Sequence, residues 1–143
     1  MPKAANPYCR CLFYSANALA RNITRMTEES FARTGLAPSL GFVVMTVQRN
    51  PGIQPSEVAR IMMLSASTLT RLVEKLESKG LLRKESKGKA IHIHLTETGE
   101  SLTPALKEAW QETHRRYTDL LGKDAANQLA AQSYEAALAL EAQ

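Results

Sequence analysis

Apolar residues recur every three or four positions over most of the chain, which is the spacing of amphipathic helices. The first such stretch predicts a long helix that begins at Asn6-Pro7 and ends near Thr34-Gly35. The second predicts a helix that begins at Pro38-Ser39 and ends at Asn50-Pro51-Gly52, because proline and glycine break helices. The chain therefore starts with two helices.

Two shorter helices are predicted next, separated by Met63-Leu64. Pro55 lies in the first turn of the third helix, while Ser65 caps the fourth, which ends at Gly80. The residues of the third helix predicted to face inward are Val58, Ile61 and Met62. The predicted buried stripe of the fourth helix consists of Leu69, Leu72, Val73 and Leu76.

The spacing changes after Gly80. Leu82 and the segment 90–95 predict two strands, joined by a polar tip at residues 86–89. Helical spacing then returns from Thr96 to Gly122, where Pro104 should kink the helix near its start. An alanine-rich helix is predicted from Lys123 to Gln143. The order α-α-α-α-β-β-α-α predicts a mainly α protein with a small β-hairpin.

Composition narrows the class of protein. A chain of 143 residues with 44% hydrophobic and 22% charged residues predicts one folded domain and excludes a disordered chain. No apolar run approaches the roughly 20 residues that span a bilayer, and the N-terminus lacks the apolar core of a secretory signal. We therefore expect a cytoplasmic protein without membrane association. Having only two cysteines, Cys9 and Cys11, is typical of a reducing compartment.

Charge is distributed unevenly along the chain. The net charge is +4, but residues 49–94 carry nine basic and four acidic side chains, whereas residues 95–143 carry four and eight. A basic block in one part of a small fold indicates a polyanion-binding site. A solvated charged face explains the same numbers, so charge alone leaves both interpretations open.

Two short helices followed by a basic two-stranded hairpin are typical of a winged helix-turn-helix, whose second helix enters the DNA major groove. Arg71 has the fork that reads guanine O6 and N7, and Glu74 is expected beyond the groove floor or paired with Lys75 or Lys79. The candidate DNA-binding residues of the fourth helix are Ser65, Ser67, Thr68, Thr70, Arg71 and Lys75. The candidates in the hairpin, or wing, are Arg83, Lys84, Lys87 and Lys89.

Other classes of function have less support. An ordinary solvated helix with a serine cap, or a winged-helix module that binds proteins instead of DNA, remain alternatives; such a module would show an apolar recognition face. His92 and His94 share a strand face, but no further ligand lies at metal-binding spacing, so a polar outer face explains them. No nucleophile triad or phosphate-binding glycine loop is present. We therefore expect neither an enzyme, nor a metal, nor a cofactor.

The segments 65–82 and Leu95-Thr96-Glu97-Thr98-Gly99 resemble the recognition helix and the strand-to-helix junction of the MarR family of winged-helix regulators. The resemblance implies one domain over residues 1–143, with a winged part at about 36–99 and intertwined dimerisation helices at about 6–34 and 100–143. It also implies a homodimer on a pseudo-palindromic operator in double-stranded DNA. Such regulators are usually repressors that a small-molecule effector releases.

The wing departs from the family pattern. The family commonly has Asp-x-Arg at the wing tip, and the matching positions here are Lys87 and Lys89. Lysine is a point charge on a flexible stem and lacks the planar fork of arginine. We therefore expect weaker minor-groove readout and a more mobile wing.

The terminal helices carry more apolar residues than one small winged domain requires, which favours a dimer interface. These residues are Leu12, Leu19, Ile23, Leu120, Leu121, Leu129, Tyr134 and Leu138. The resemblance also implies an effector pocket between the dimerisation helices and the winged part. Its candidate lining residues are Phe13, Asn17, Arg21, Phe42 and Met45, although core packing explains the apolar three equally well.

The cysteines suggest a second kind of control. Some family members sense oxidants through a cysteine in the first helix, so a redox-sensing regulator that uses Cys9 or Cys11 is an alternative. Residues i and i+2 of a helix point about 200° apart, so on a helix these two thiols cannot form an internal disulfide.

Overall fold

The computed structural model describes residues 3–142 and confirms the predicted order of helices and strands. The predicted end of the last helix, Gln143, and the first two residues of the predicted domain lie outside this range. The elements are α1 (Leu12–Phe31), a 3-10 turn (Ala32–Thr34), α2 (Pro38–Arg49), α3 (Pro55–Met62), α4 (Ala66–Ser78), β1 (Leu82–Lys87), β2 (Ala90–Leu95), α5 (Glu97–Leu121) and α6 (Lys123–Glu141).

The predicted start of the first helix is wrong. Asn6 does not cap a helix; its Oδ1 accepts the Tyr8 backbone N–H at 2.9 Å, and the chain turns before α1 begins at Leu12. A side-chain acceptor two residues upstream stabilises a tight turn in place of a helical turn. Cys9 and Cys11 therefore precede α1, and the helical geometry that separated them by about 200° does not apply.

Local signals fix α4 and the hairpin as predicted. The Ser65 Oγ accepts the Thr68 backbone N–H at 3.2 Å, and Gly80 ends the segment with a φ of +73°. The antiparallel strands pair from Leu82 with Leu95 to Lys87 with Ala90, which leaves a two-residue turn at Gly88-Lys89. A short bridge from Ile53 to Ile93 adds a third strand contact that the spacing did not predict.

The chain divides into two compact units, and Thr27–Trp110 forms the first, called the winged unit below. Its core is closed: Phe31, Val43, Val58, Leu76 and Ile93 are each fully buried. Ile61 was predicted to face inward but is 44% exposed. The buried arc of α3 is centred among Val58, Ala59 and Met62, and at 100° per residue Ile61 lies about 110° from that centre.

One junction joins the end of α4, the base of the hairpin and the start of α5. The Thr96 hydroxyl donates to the Gly80 carbonyl at 2.6 Å and accepts the Gly99 N–H at 3.1 Å. A Cβ at Gly99 would lie 2.2 Å from the Leu81 carbonyl oxygen, so only glycine fits there. These contacts explain the sequence Leu95-Thr96-Glu97-Thr98-Gly99 physically.

Pro104 lies inside α5, which continues past it to Leu121. Proline has no N–H, so it cannot donate to the Glu100 carbonyl one turn earlier. The Thr103 hydroxyl donates to that carbonyl instead, at 2.7 Å. This side-chain bond satisfies the acceptor that the proline leaves open.

The chain up to Met26 and from Gln111 onward forms the second unit, called the helical unit below. Ala126 is its one buried hydrophobic residue among those described. The large hydrophobic residues that it exposes are Tyr8, Leu12, Phe13, Tyr14, Leu120, Leu121, Leu129, Tyr134, Leu138 and Leu140. Within residues 3–142, no helix combines the length and the apolar character needed to cross a bilayer.

Candidate nucleic-acid interface

The hydroxyl groups at the start of α4 differ in what they are free to contact. The Ser65 Oγ donates to the Thr68 Oγ1 at 2.8 Å, and the Thr70 hydroxyl donates to the Ala66 carbonyl at 2.9 Å. Ser67 is exposed, with its Oγ 3.3 Å from that of Ser65. The cap therefore uses Ser65 and Thr68, while Ser67 presents its hydroxyl outward.

Two cations continue the exposed face of α4. Arg71 and Lys75 are one helical turn apart and both exposed. Neither is in an ion pair or side-chain hydrogen bond with a described residue. The Arg71 guanidinium therefore keeps its five donors for a ligand outside the chain.

The wing presents three exposed cations and one that is paired. Arg83, Lys87 and Lys89 are exposed and have no ion-pair partner among residues 3–142. The Lys84 Nζ lies 3.1 Å from the Glu77 Oε1 on α4. Lys84 is thus a contact within the protein as well as a candidate for DNA.

Glu74 was expected to lie beyond the groove floor or to pair with Lys75 or Lys79. It is exposed on α4, and the structure shows no ion pair from it to either lysine across the described chain. The acid of α4 that finds a partner is Glu77, which reaches the strand instead of its own helix. Sequence spacing missed this pair because it joins two elements and not two turns of one helix.

The two histidines of β2 are both half-buried and engaged. The His92 Nδ1 lies 2.7 Å from the Gly52 carbonyl oxygen, and since a carbonyl only accepts, this nitrogen carries the proton. The His94 Nε2 lies 3.0 Å from the Glu85 Oε2. Across the part of the chain that is described, no group of three or more His, Cys, Asp or Glu side chains is placed to hold a metal ion.

One carboxylate near the interface has a shifted pKa. The Arg60 guanidinium hydrogen-bonds both oxygens of Glu57 on α3, with 3.0 Å from Nε to Oε2. These hydrogen bonds lower the pKa of Glu57 below its ordinary value of 4.5. Arg60 is therefore partly committed to its own helix.

Comparison with known proteins identifies the fold family. A sequence model of the MarR family matches residues 34–90, which include α2, α3, α4 and the start of the hairpin. The transcriptional repressor MdtR of Bacillus subtilis (strain 168) is 27% identical over 101 residues, covering 68% of this chain and 65% of the length of that protein. This chain belongs to the MarR family.

Solved structures of similar proteins agree with this fold. The repressor CouR bound to p-coumaroyl-CoA superposes with a TM-score of 0.83 at 20% identity, over 94% of this chain and 98% of that chain. The MepR–DNA complex from S. aureus superposes with a TM-score of 0.78 at 15% identity, over 96% and 99%. At such low identity these structures establish the winged-helix fold and nothing finer.

The candidate effector residues of this MarR-family chain fall in both units. Phe13 is 79% exposed and accepts the Asn17 side-chain N–H at its carbonyl, while Arg21 is exposed on the same helix. In the winged unit Phe42 stacks on Phe31, and Met45 is buried in the core. Met45 therefore lines no open surface of its unit.

Sequence reasoning did not find an apolar groove within the helical unit. The groove has a volume of about 200 Å³. Its lining residues come from α1, α5 and α6 and include Leu19, Ile23, Tyr117, Leu121, Leu129 and Ala130. The helical spacing that predicted a dimer interface contained four of these residues, but periodicity along separate helices does not show that they line one groove.

Proposed function

We propose that the protein is a dimeric, sequence-specific DNA-binding transcriptional regulator, and that it is a repressor released by a small molecule. The observation that carries the proposal is the exposed polar face of α4, on which Ser67, Arg71 and Lys75 are free of competing ion pairs. Beside it, the wing presents Lys87 and Lys89 at its tip. A protein-interaction module would have an apolar face at this place.

The chemistry of α4 suits the major groove. Leu69, Val73 and Leu76 anchor one side of the helix in the core, which leaves the opposite side to approach base edges. Arg71 would donate two parallel hydrogen bonds to guanine O6 and N7, and Ser67 a single one to a base or phosphate. The tip lysines would neutralise phosphates, which makes affinity depend steeply on salt.

A second copy of the chain is the proposed cover for the helical unit. Ten large hydrophobic residues are exposed there, including Leu129, Leu138 and Leu140, and a monomer in water gains nothing by exposing them. A two-fold dimer buries the same face of both copies and presents two α4 helices. We expect half-sites about 10 base pairs apart, centre to centre, on a pseudo-palindromic operator.

Release by a small molecule is supported by similarity to CouR, which has been solved with p-coumaroyl-CoA bound. On this chain the proposed effector contacts are the exposed groups of α1, Phe13, Asn17 and Arg21, together with Phe42. The Arg21 guanidinium would hold an anionic effector. Neither the identity of the effector nor the genes under control enter the proposal.

Selection of bound duplexes from a random DNA library would test DNA recognition. We expect enrichment of a pseudo-palindrome, and we expect Arg71→Ala to weaken binding to it by about 1–3 kcal/mol while relaxing the preference at one base pair per half-site. Arg71→Lys is the matched control, since it keeps the charge and loses the fork. It should lose the base preference and retain the affinity for random duplex.

Two results would contradict the proposal. Binding that does not change between low and high salt would exclude a phosphate-dependent interface. An equal loss on selected and random duplexes with Arg71→Ala would make Arg71 a phosphate contact, so that α4 would not read bases through it.

The role of the wing is tested separately. Lys89→Arg should tighten binding to sites flanked by A-tracts, because a narrow minor groove concentrates the negative potential that arginine uses. Replacing Lys87 and Lys89 by alanine should weaken all duplexes and lower the salt slope by about one unit per lost phosphate contact. No change in affinity with Lys89→Arg would show that the wing stays outside the minor groove.

A further inference from the structure

The base of the hairpin is held from both of its faces. Lys84 pairs across the strands with Ile93, and Glu85 pairs with His92, so Lys84 and His92 lie on opposite faces of the ribbon. On one face the Lys84 Nζ is 3.1 Å from the Glu77 carboxylate of α4. On the other, His92 donates to the Gly52 carbonyl in the connection between α2 and α3.

A two-stranded ribbon needs such contacts to keep a direction. An isolated hairpin is marginally stable in water, and two-stranded ribbons twist more than larger sheets. Ile93 is fully buried at the base of this hairpin, whereas residues 86–89 at the tip are exposed. The direction of the tip is therefore set where Lys84 and His92 are held.

We propose that Glu77 is a positioning residue for DNA recognition. By pairing with Lys84, its carboxylate fixes the direction of the wing relative to α4, and so the distance between the base contact of Arg71 and the phosphate contacts of Lys87 and Lys89. This inference rests on the proposed DNA binding. It also explains how the wing keeps its direction although lysines replace the Asp-x-Arg pattern at its tip.

The proposal differs in sign from simple electrostatics. Glu77 is an acid beside a surface that would face phosphates, so its negative charge alone opposes binding to every duplex. Removing the charge would then tighten selected and random DNA equally. A positioning role predicts instead that the ratio of specific to non-specific affinity falls, because the two contacts lose their fixed spacing.

Glu77→Gln and Glu74→Gln test this difference as a matched pair. Both remove one negative charge from α4, but Glu74 is exposed and has no partner, whereas Glu77 holds Lys84. We expect Glu77→Gln to lower the ratio of affinities about two- to fivefold, the effect of one partly exposed ion pair, and Glu74→Gln to leave it unchanged. An equal ratio in the two variants would overturn the proposal.

A charge swap separates position from charge. Glu77→Lys combined with Lys84→Glu keeps the net charge of the protein and restores an ion pair with reversed polarity. We expect the double variant to recover the parent ratio to within about twofold, while each single variant stays low. Failure to recover when both single variants fold would overturn the proposal, because nothing but the pair would have been restored.

A measurement without DNA distinguishes this proposal from the proposed function. Spin labels at Ser78→Cys and Ser86→Cys, in a background with Cys9→Ser and Cys11→Ser, report the distance between the end of α4 and the hairpin. We expect a narrow distance distribution that broadens with Glu77→Gln and stays narrow with Glu74→Gln. No broadening would overturn the role of Glu77, whereas broadening without any DNA binding would contradict the proposed function alone.

Discussion

The winged unit and the helical unit bury apolar residues to very different extents. The winged unit, Thr27–Trp110, encloses almost every fully buried hydrophobic side chain of the described chain, including Leu69, Leu76 and Ile93. The helical unit buries Ala126 and leaves ten large hydrophobic residues exposed. One unit has a core of its own, and the other has an apolar surface that still lacks a cover.

This contrast follows from what each sequence segment packs against. In the winged unit, four helices and a hairpin enclose one another, so side chains meet from several directions. In the helical unit, three helices surround an open groove of about 200 Å³. A stable core needs a further layer there, which a second copy of the chain would supply.

Charging the open face is expected to have the largest effect. With Leu129→Glu and Leu140→Glu, each carboxylate would be buried without a partner, so the dissociation constant of the dimer should rise about 1,000-fold or more. Sedimentation velocity across protein concentrations measures this. Gln128→Glu with Ala139→Glu is the matched control, because these positions lie on the opposite side of α6.

A monomer in the control as well would show that charge, and not the face of α6, decides assembly. A dimer in the leucine variant would remove the argument for a second copy as the cover. Either result would break the contrast between a closed and an open unit.

Truncation in the two units should differ in kind. Leu76 is fully buried, so Leu76→Ala should lower the free energy of unfolding by about 2–5 kcal/mol. Leu138 is 44% exposed, so Leu138→Ala should act mainly through assembly and change the concentration dependence of unfolding. Denaturant titrations at two protein concentrations measure both, and the same loss with both variants at every concentration would contradict this difference.

The density of the closed unit is tested at two glycines. A Cβ at Gly99 would meet the Leu81 backbone carbonyl at 2.2 Å, whereas one at Gly41 would meet the Phe31 ring at 2.8 Å. A ring can turn aside more easily than backbone, so Gly99→Ala should cost about 1–3 kcal/mol and more than Gly41→Ala. Thermal unfolding of both variants gives the order, and a larger loss at Gly41 would contradict it.

A smaller effect is expected at the surface of the winged unit. Hydrogen bonds from Arg60 lower the pKa of Glu57, so this pair stabilises the fold above the ordinary value of 4.5 and loses its effect as the pH falls through the lowered pKa. Arg60→Ala should therefore destabilise the protein slightly near neutral pH and not at about pH 3. Denaturant unfolding at the two pH values measures the difference, and an equal loss at both would assign it to packing.

The exposed thiols of the helical unit should have the smallest effect. Neither sulfur of Cys9 or Cys11 has a hydrogen-bond partner among residues 3–142, and a sensing cysteine needs a stabilised thiolate. We expect the double Cys→Ser variant to bind DNA like the parent, with and without mild peroxide. Peroxide-reversible release of DNA in the parent alone would place the protein among redox-sensing regulators.

The elements of the winged unit were readable from sequence where short-range signals agree. The period of Leu69, Val73 and Leu76, the cap at Ser65 and the stop at Gly80 all concern residues within a few positions of each other, and together they predicted α4. Similar agreement at Gly88 predicted the hairpin turn. The same logic failed at Asn6-Pro7, because an asparagine before a proline starts a tight turn as readily as a helix.

By itself, the sequence determined the order of the helices and strands, the polar face of α4 with Arg71, and the basic tip of the wing, since periodicity and caps act within one or two turns of chain. Only the tertiary structure decided that Glu77 meets Lys84 and that His92 meets the Gly52 carbonyl, 40 positions away. It also decided that Ile61 faces outward. Such contacts depend on where separate elements cross, and no local pattern encodes the crossing.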